Sequence, residues 1–443
     1  MKKYFLYILN TFHYQIFKPL NPIDLSLHSR QPREPFNILE RFCIIFIALK
    51  KNKIKLSFLY FLNFIKFLII QVSILIYYPL ILWSYFFKLR FVVINYWQFG
   101  TIAQHLAMLK MDIENKSLNS KLFYVYLPNK FSSCKDLISI FKRDVNVVSN
   151  HFLYLILVPF FHSKFTRWPI SKYDEHFKFS ESQKIFKNFY KKNKTLLSLD
   201  EKKKNNICAE IFFKMFKFPS NKNFVVLHIR TDNFYLDDYK NRNSSINKYS
   251  EAIYFLVKKN FHIIISSSDK NVLNFFQNFK NNIHIFDNNK YINKNISTQY
   301  FQIYCLINCK FLICNNSGIK NFAQHLGTPC LIADAFPFHS AFGYGNKDIS
   351  IPKILVENGK KINFSRIIQN DKFFYGFTNA NFEILENSNM DILMGVQDIY
   401  GAILRKKEIK NILNVKNLNI RPQKDSLGKI SPSFLTQNSD INK

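Results

Sequence analysis

The chain has 443 residues, 48% of them hydrophobic, with 62 basic against 30 acidic side chains and a formal net charge of +32. That length is too great for one ordinary domain and suits two or three, with sizeable cores. The charge would ordinarily point to nucleic acid or an anionic membrane, but the lysines are spread along the chain, which argues against a nucleic-acid-binding arm. Lys, Asn, Ile and Phe dominate even loop-like stretches, so a single lysine or asparagine carries little meaning. The seven cysteines form no C-x-x-C pair and no zinc spacing with histidine. They read as buried free thiols in a reducing compartment.

Residues 1–40 hold Pro19, Pro22, Pro32 and Pro35 and no cleavable signal, because the apolar part near Tyr4–Leu9 is too short and no small-residue cleavage site follows. Phe42–Leu49 is a short apolar run. Leu56–Phe87 is almost wholly apolar, interrupted by Asn63, Lys66, Gln71 and a few serines. Its second part, Phe67–Phe87, is long enough to span a bilayer, and Trp83 and Tyr85 stand near its end as interfacial aromatics do. Three arrangements fit: a single span, two shorter helices split near Lys66 or Pro79 and lying in the interface, or the core of a first domain. Lys50, Lys51, Lys53 and Lys55 precede the segment, which favours a cytoplasmic N-terminus and contact with acidic lipid. A strand beginning as early as Phe91 favours in-plane or hairpin attachment over a span.

Phe91–Tyr96 reads as a buried strand, Gln98–Gly100 as a turn, and Thr101–Lys116 as a helix with Thr101 as N-cap. Strands at Leu122–Leu127 and Val145–Val148 flank a helix at Lys135–Phe141, and His151–Phe161 is a fully apolar helix, core or membrane-facing. The charged stretch 165–206, with a turn at Trp168-Pro169, reads as a connection, and Ile207–Phe216 as a helix. Phe224–Leu227 is a buried strand ending in His228-Ile229-Arg230, whose alternation sends His228 and Arg230 to one face. A polar loop with Arg242 follows, then a helix from Tyr249 to Lys258. Further strands at Phe261–Ile265, Ile283–Phe286, Phe311–Cys314 and Cys330–Ala333 alternate with helices at Val272–Phe279, Tyr300–Asn308 and Gly318–Leu326. This is the pattern of a parallel, doubly wound sheet. Asn315-Asn316-Ser317-Gly318 lies between a strand end and a helix start, where free N–H groups form an anion cradle. Ala335–Asp348 is a Pro/Gly/aromatic loop suited to a lid, Ile384–Leu404 a long amphipathic helix, and the residues after Lys416 a tail without periodicity.

HIR at 228–230, RNSSINKY at 242–249 and FLICNNSG at 311–318 resemble, in order and spacing, a bacterial family of surface-carbohydrate biosynthesis glycosyltransferases. The H-x-R element is also similar to that of fucosyltransferases with two Rossmann-like domains. The resemblance covers roughly residues 91–403. It implies an α/β fold of two Rossmann-like domains facing a cleft, a GT-B-like arrangement, here with an N-terminal apolar, membrane-associated helical segment. The segments would be 1–90 for that basic and apolar region, 91–205 for the acceptor-side domain and connection, 206–415 for the nucleotide-sugar domain, and 416–443 for a disordered tail.

The implied reaction moves a sugar from a nucleotide-sugar donor to a surface polysaccharide or lipid-linked glycan. Arg230 would neutralise the leaving diphosphate, with His228, Arg242, Asn243, Asn316, Ser317 and Gly318 also on the donor side. Gly100 and His105 resemble the family's first motif and would face the acceptor. Asp232, His105 and Asp112 are candidate bases. No D-x-D is present, so arginine and helix dipole would do the work of a divalent ion. No cofactor is implied beyond the nucleotide-sugar as substrate. A donor made in the cytoplasm places the protein on the cytoplasmic face of the inner membrane, peripheral or hairpin-anchored, with a single pass as the alternative. Expected partners are donor, acceptor and an anionic membrane surface, and not nucleic acid. The chain departs from the family at Ile263–Ser266, where an arginine is usual, and at Gln302, where an acid is common. A basic membrane-associated nucleotide- or nucleic-acid-binding protein without catalysis is the rival reading.

Overall fold

The computed structural model of the chain describes residues 46, 49, 54–93, 99–114, 122–126, 146–163, 165–166, 190, 197, 199, 201–221, 223–231, 240–267, 269–277, 282–286, 296–338, 343–374, 382–404 and 428–441. The chain divides into two compact units, Met1–Trp97 with Met108–Lys178, and Gln98–Ala107 with Phe179–Lys443. The second unit thus takes up the chain from Phe179, earlier than the expected boundary at 206. The helix predicted at Lys135–Phe141 lies outside the described residues.

The first unit opens with helices α1 (Ile54–Ile76) and α2 (Tyr78–Phe86). The break falls at Tyr77, because Pro79 has no N–H for the carbonyl four residues back and its ring crowds that carbonyl. The two arms, Phe67–Ile76 and Tyr78–Phe86, are bent by 72°. No single helix among the described residues is long and apolar enough to cross a membrane, and only this bent pair meets the test, by length and composition. A straight single span is therefore not supported. Strands β1 (Leu89–Val93), β2 (Leu122–Tyr126) and β3 (Asn146–Val148) form a parallel sheet in that order. Helix α3 (Phe99–Glu114), whose residues up to Ala107 belong to the second unit, lies between β1 and β2 in sequence. It begins at Phe99, so Thr101 sits inside it and is no cap. Helix α4 (His151–His162) is capped by Asn150, whose side chain accepts from the Phe152 and Leu153 amides. It packs on the sheet through Tyr154, stacked on Tyr126 at 3.6 Å, and through Phe160 and Phe161 against Phe91.

The second unit is built on a seven-stranded, wholly parallel sheet. After helix α5 (Lys202–Phe216), strand β4 (Phe224–His228) enters its centre. The chain then runs outward through α6 (Ser250–Lys258), β5 (His262–Ile265), α7 (Lys270–Gln277) and β6 (Ile283–Ile285). It returns by α8 (Thr298–Asn308) to β7 (Leu312–Cys314) on the other side of β4, then α9 (Gly318–His325), β8 (Cys330–Ala335) and β9 (Ile349–Pro352). Each strand from β4 to β8 is a short apolar run; β4, β5, β7 and β8 are buried almost throughout, as strands covered on both faces require. The order β6-β5-β4-β7-β8-β9 is that of a doubly wound nucleotide-binding fold, and it reverses between β4 and β7. A small antiparallel sheet of β10 (Ile354–Glu357), β11 (Lys360–Lys361) and β12 (Glu383–Leu385) follows, with short helices α10 (Phe364–Gln369) and α11 (Asp371–Phe374).

Two expectations are corrected here. The long helix, α12 (Asn389–Leu404), starts five residues later than Ile384. Residues 383–385 pair with β10 instead, and Ser388 with Asp391 forms the cap: the Ser388 amide and hydroxyl donate to the Asp391 carboxylate at 2.8 and 2.6 Å. The described part of the tail, 428–441, is not structureless either. Strand β13 (Lys429–Ile430) adds to the edge of β9, and α13 (Pro432–Gln437) buries Phe434 and Leu435. Its polar groups are held by the long helix, with Ser431 and Ser433 bonded to Asp398 and Asn438 to Asp391. A two-residue edge strand and a helix with two buried apolar residues are too short to leave a periodic signal.

Candidate functional site at the sheet reversal

In an open parallel sheet the carboxyl ends of the two strands flanking the reversal leave a crevice between outgoing and returning crossovers. Here those strands are β4 and β7, paired as His228 with Cys314. The residues just beyond are Arg230 on one side and Asn315-Asn316-Ser317 on the other. Asn315 clamps them together. Its Oδ1 accepts from the Arg230 amide at 3.2 Å, and its Nδ2 donates to the carbonyls of Arg230 and Arg242 at 2.8 and 3.1 Å. The Ser244 amide also donates to the Arg230 carbonyl. The arginine loop is thereby fastened to the strand end, and Arg230 and Asn243 are both buried.

Ser317 has the extended backbone of an N-cap but makes no capping bond, and its hydroxyl oxygen is buried without a hydrogen-bond partner. It stands at the start of α9, where the helix dipole and unsatisfied N–H groups favour an anion. Asn316 is more committed than expected: its Oδ1 accepts from Lys320 at 3.0 Å and its Nδ2 donates to the Phe336 carbonyl at 2.9 Å. Lys320, in the first turn of α9, is buried, and burial pulls its ammonium down to about 8. The positive charge of Arg242 adds to that, while Asp348 opposes it.

Gly100 reaches the same helix start. A Cβ on Gly100 would lie 2.5 Å from the Gly318 Cα, and Asn321 Nδ2 donates to the Gly100 carbonyl at 3.1 Å. Two motifs more than two hundred residues apart in sequence thus meet backbone to backbone. We expect Gly100→Ala to cost about 1–3 kcal/mol, since neither backbone can yield without moving α9; thermal unfolding would measure it, and an unchanged midpoint would show the contact to be loose. His105 follows in α3, buried. Asp112 lies in the last turns of the same helix, and Asp232 lies outside the described residues.

His228 tethers rather than projects: its Nδ1 is 2.6 Å from the Ser266 carbonyl, which can only accept, so Nδ1 carries the proton. Burial lowers its pKa, the bond to Ser266 opposes that, and the Arg230 charge lowers it further. The two departures from the family pattern meet at the same place, where Gln302 Nε2 donates to Ser266 Oγ at 3.3 Å. A neutral pair therefore occupies the position, and neither partner is left as a lone buried charge.

Sequence reasoning placed Asn315 in the anion cradle without seeing its role as a clamp, and it passed over Lys320 and Lys353. Lys353, just past β9, is buried and donates to the Asn243 carbonyl at 2.6 Å. Near it lies Asp334, whose pKa burial raises and whose charge Lys353 favours. Asp334 holds the left-handed backbone conformation, φ 49°, and exchanges hydrogen bonds with Asn387 at 2.6 and 2.7 Å. Lys320 stands in a stretch read only as a helix, and the bias toward lysine hid both residues. The end of the expected lid, 343–348, is anchored: Asp348, buried and pushed up to about 6 by burial, accepts from the amides of Cys330 and Gly345. The described cysteines Cys208, Cys305, Cys309, Cys314 and Cys330 are buried thiols in no disulfide. Among the described residues no three His, Cys, Asp or Glu side chains converge as a metal site would need.

No family model matches the chain, and no curated protein matches it. Among solved structures it is similar to a glycosyl transferase of family 9 from Veillonella parvula DSM 2008, at 9% identity and a TM-score of 0.38, over 55% of this chain and 81% of that one. It is similar to the ADP-heptose LPS heptosyltransferase II of E. coli at 10% identity and a TM-score of 0.38, over 55% and 84%. It is similar to the NodZ α-1,6-fucosyltransferase at 12% identity and a TM-score of 0.35, over 56% and 96%.

Proposed function

We propose that the chain is a glycosyltransferase that moves a sugar from a nucleotide-sugar donor to a hydroxyl of a surface polysaccharide or lipid-linked glycan. The observation that carries this reading is the coincidence of the β4–β7 reversal with Arg230, the unbonded Ser317 hydroxyl and the start of α9. Departure of the nucleoside diphosphate leaves charge on its phosphate oxygens, and stabilising that charge is the main task of such a site. Arg230 is the cation for it, and the Ser317 hydroxyl and the first amides of α9 are its neutral donors. Arg242, on the loop clamped by Asn315, adds positive charge, and in this reading no divalent ion is required. Gly100, next to the same helix start, and His105 belong to the acceptor side, and His105 and Asp232 are the proposed catalytic groups besides Arg230.

The test is binding of a panel of nucleoside diphosphates to the purified chain. One base bound in preference to the others supports the reading and narrows the donor. If none binds while a short duplex does, with steep salt dependence, the chain is a basic binding protein and the transferase reading fails.

A further inference from the structure

We propose that α1, α2 and α4 together form a surface that lies in the interface of an anionic bilayer without crossing it. Helices at the surface of a soluble unit keep polar residues outward, and these three do not. Along α1 the exposed positions Ile65, Ile69, Val72 and Ile76 form one helical stripe, continued on α2 by Leu80, Trp83 and Phe86. On α4, Phe152, Leu153, Leu155 and Ile156 are exposed, while Tyr154, Phe160 and Phe161 face the sheet. Helix α4 is joined to the bent pair by Tyr77 against Phe160, rings 6.1 Å apart. Leu75, Phe86 and Phe152 are 72%, 75% and 72% exposed. Large apolar side chains exposed together on adjoining helices mark an interaction surface. Compositional bias does not explain it, because exposed apolar residues of the second unit, such as Phe213, Tyr254 and Ile307, are not gathered on a run of helices.

The charge of the surrounding chain selects the occupant. Residues 41–90 contain eight basic side chains and no acidic one, and the acid-free run continues to 111. At the overall rate of 30 acidic residues in 443, about five would be expected in a run of that length. A second copy would bring two faces of like charge together, whereas anionic headgroups neutralise them. Trp83 in the apolar stripe and Tyr85 beside it, both about half exposed, suit the headgroup boundary. The 72° bend at Tyr77 lays the arms along a surface, as in interfacial helices.

The test is flotation of the full chain with vesicles of phosphatidylcholine alone or with about a third phosphatidylglycerol. The expected result is binding to the anionic vesicles, weakened by salt, and reduced at least about tenfold in Leu75→Glu/Phe86→Glu/Phe152→Glu. Brominated lipid should also quench wild-type emission and lose that part of its effect in Trp83→Phe, a readout that does not depend on how the triple variant folds. Failure of the wild type to bind either vesicle, equal binding by the triple variant, or a dimer that the triple variant dissociates in place of vesicle binding would each overturn the proposal. None of these outcomes bears on nucleotide binding at the other site.

Discussion

Arg230→Ala should abolish measurable binding of the preferred nucleoside diphosphate and lower kcat/KM by about a hundredfold or more, the usual scale for removing one charged donor to a leaving group. The fold should survive, because the clamp that Asn315 makes at this position uses the Arg230 amide and carbonyl, which alanine keeps. Arg230→Lys should recover only part of the loss, since an ammonium restores the charge but not the two-pronged geometry that matches a phosphate. Isothermal titration with the wild type beside both variants measures this, with thermal unfolding as the control for fold. An alanine variant that binds nucleotide normally would make Arg230 a structural ion at a strand end.

Lys353→Met should be destabilising, costing about 1–3 kcal/mol, because it leaves a buried carbonyl without its donor and a buried carboxylate without the nearby ammonium that favours its charge. Two losses combine. The Asn243 carbonyl loses its donor, and the Asp334 carboxylate keeps its burial without the ammonium that offsets it. Adding Asp334→Asn should return a large part of that stability. Asparagine tolerates the left-handed backbone, and its oxygen can still accept from the Asn387 amide. Nucleotide affinity should remain weakened in the double variant, roughly tenfold, because the arginine loop is still untied from β9. Chemical denaturation and nucleotide binding read these two effects separately. Recovery of affinity together with stability would show that Lys353 serves only the core.

Most of the second unit was legible because its strands are fully buried. A parallel strand covered on both faces reads as a continuous apolar run, so 224–227, 261–265, 311–314 and 330–333 stand out in a chain this biased toward Ile and Phe. Where an element is short or held by polar groups, the same reasoning fails. The strand at 383–385, the two-residue strand at 360–361 and the strand and helix at 429–437 each bury too few apolar residues to set a period. The start of α12 was misplaced because the apolar Ile384 and Leu385 look helical until pairing with β10 claims them.

The candidate site shows the same division. His228, Arg230, Ser317 and Gly318 could be named from residue type and position alone, since an arginine at a strand end and a serine-glycine at a helix start are local features. The sequence by itself determined the central strands of the second unit, that they are parallel, and which of them end in an arginine or a serine-glycine turn. Only the tertiary structure decided that β4 and β7 are neighbours, that Gly100 lies against Gly318, that Asn315 ties two loops to one strand, and that two buried lysines serve the same end of the sheet. These are pairings between residues tens to hundreds of positions apart, fixed by close packing and by the need of buried polar groups for partners, and neither condition leaves a mark on local composition.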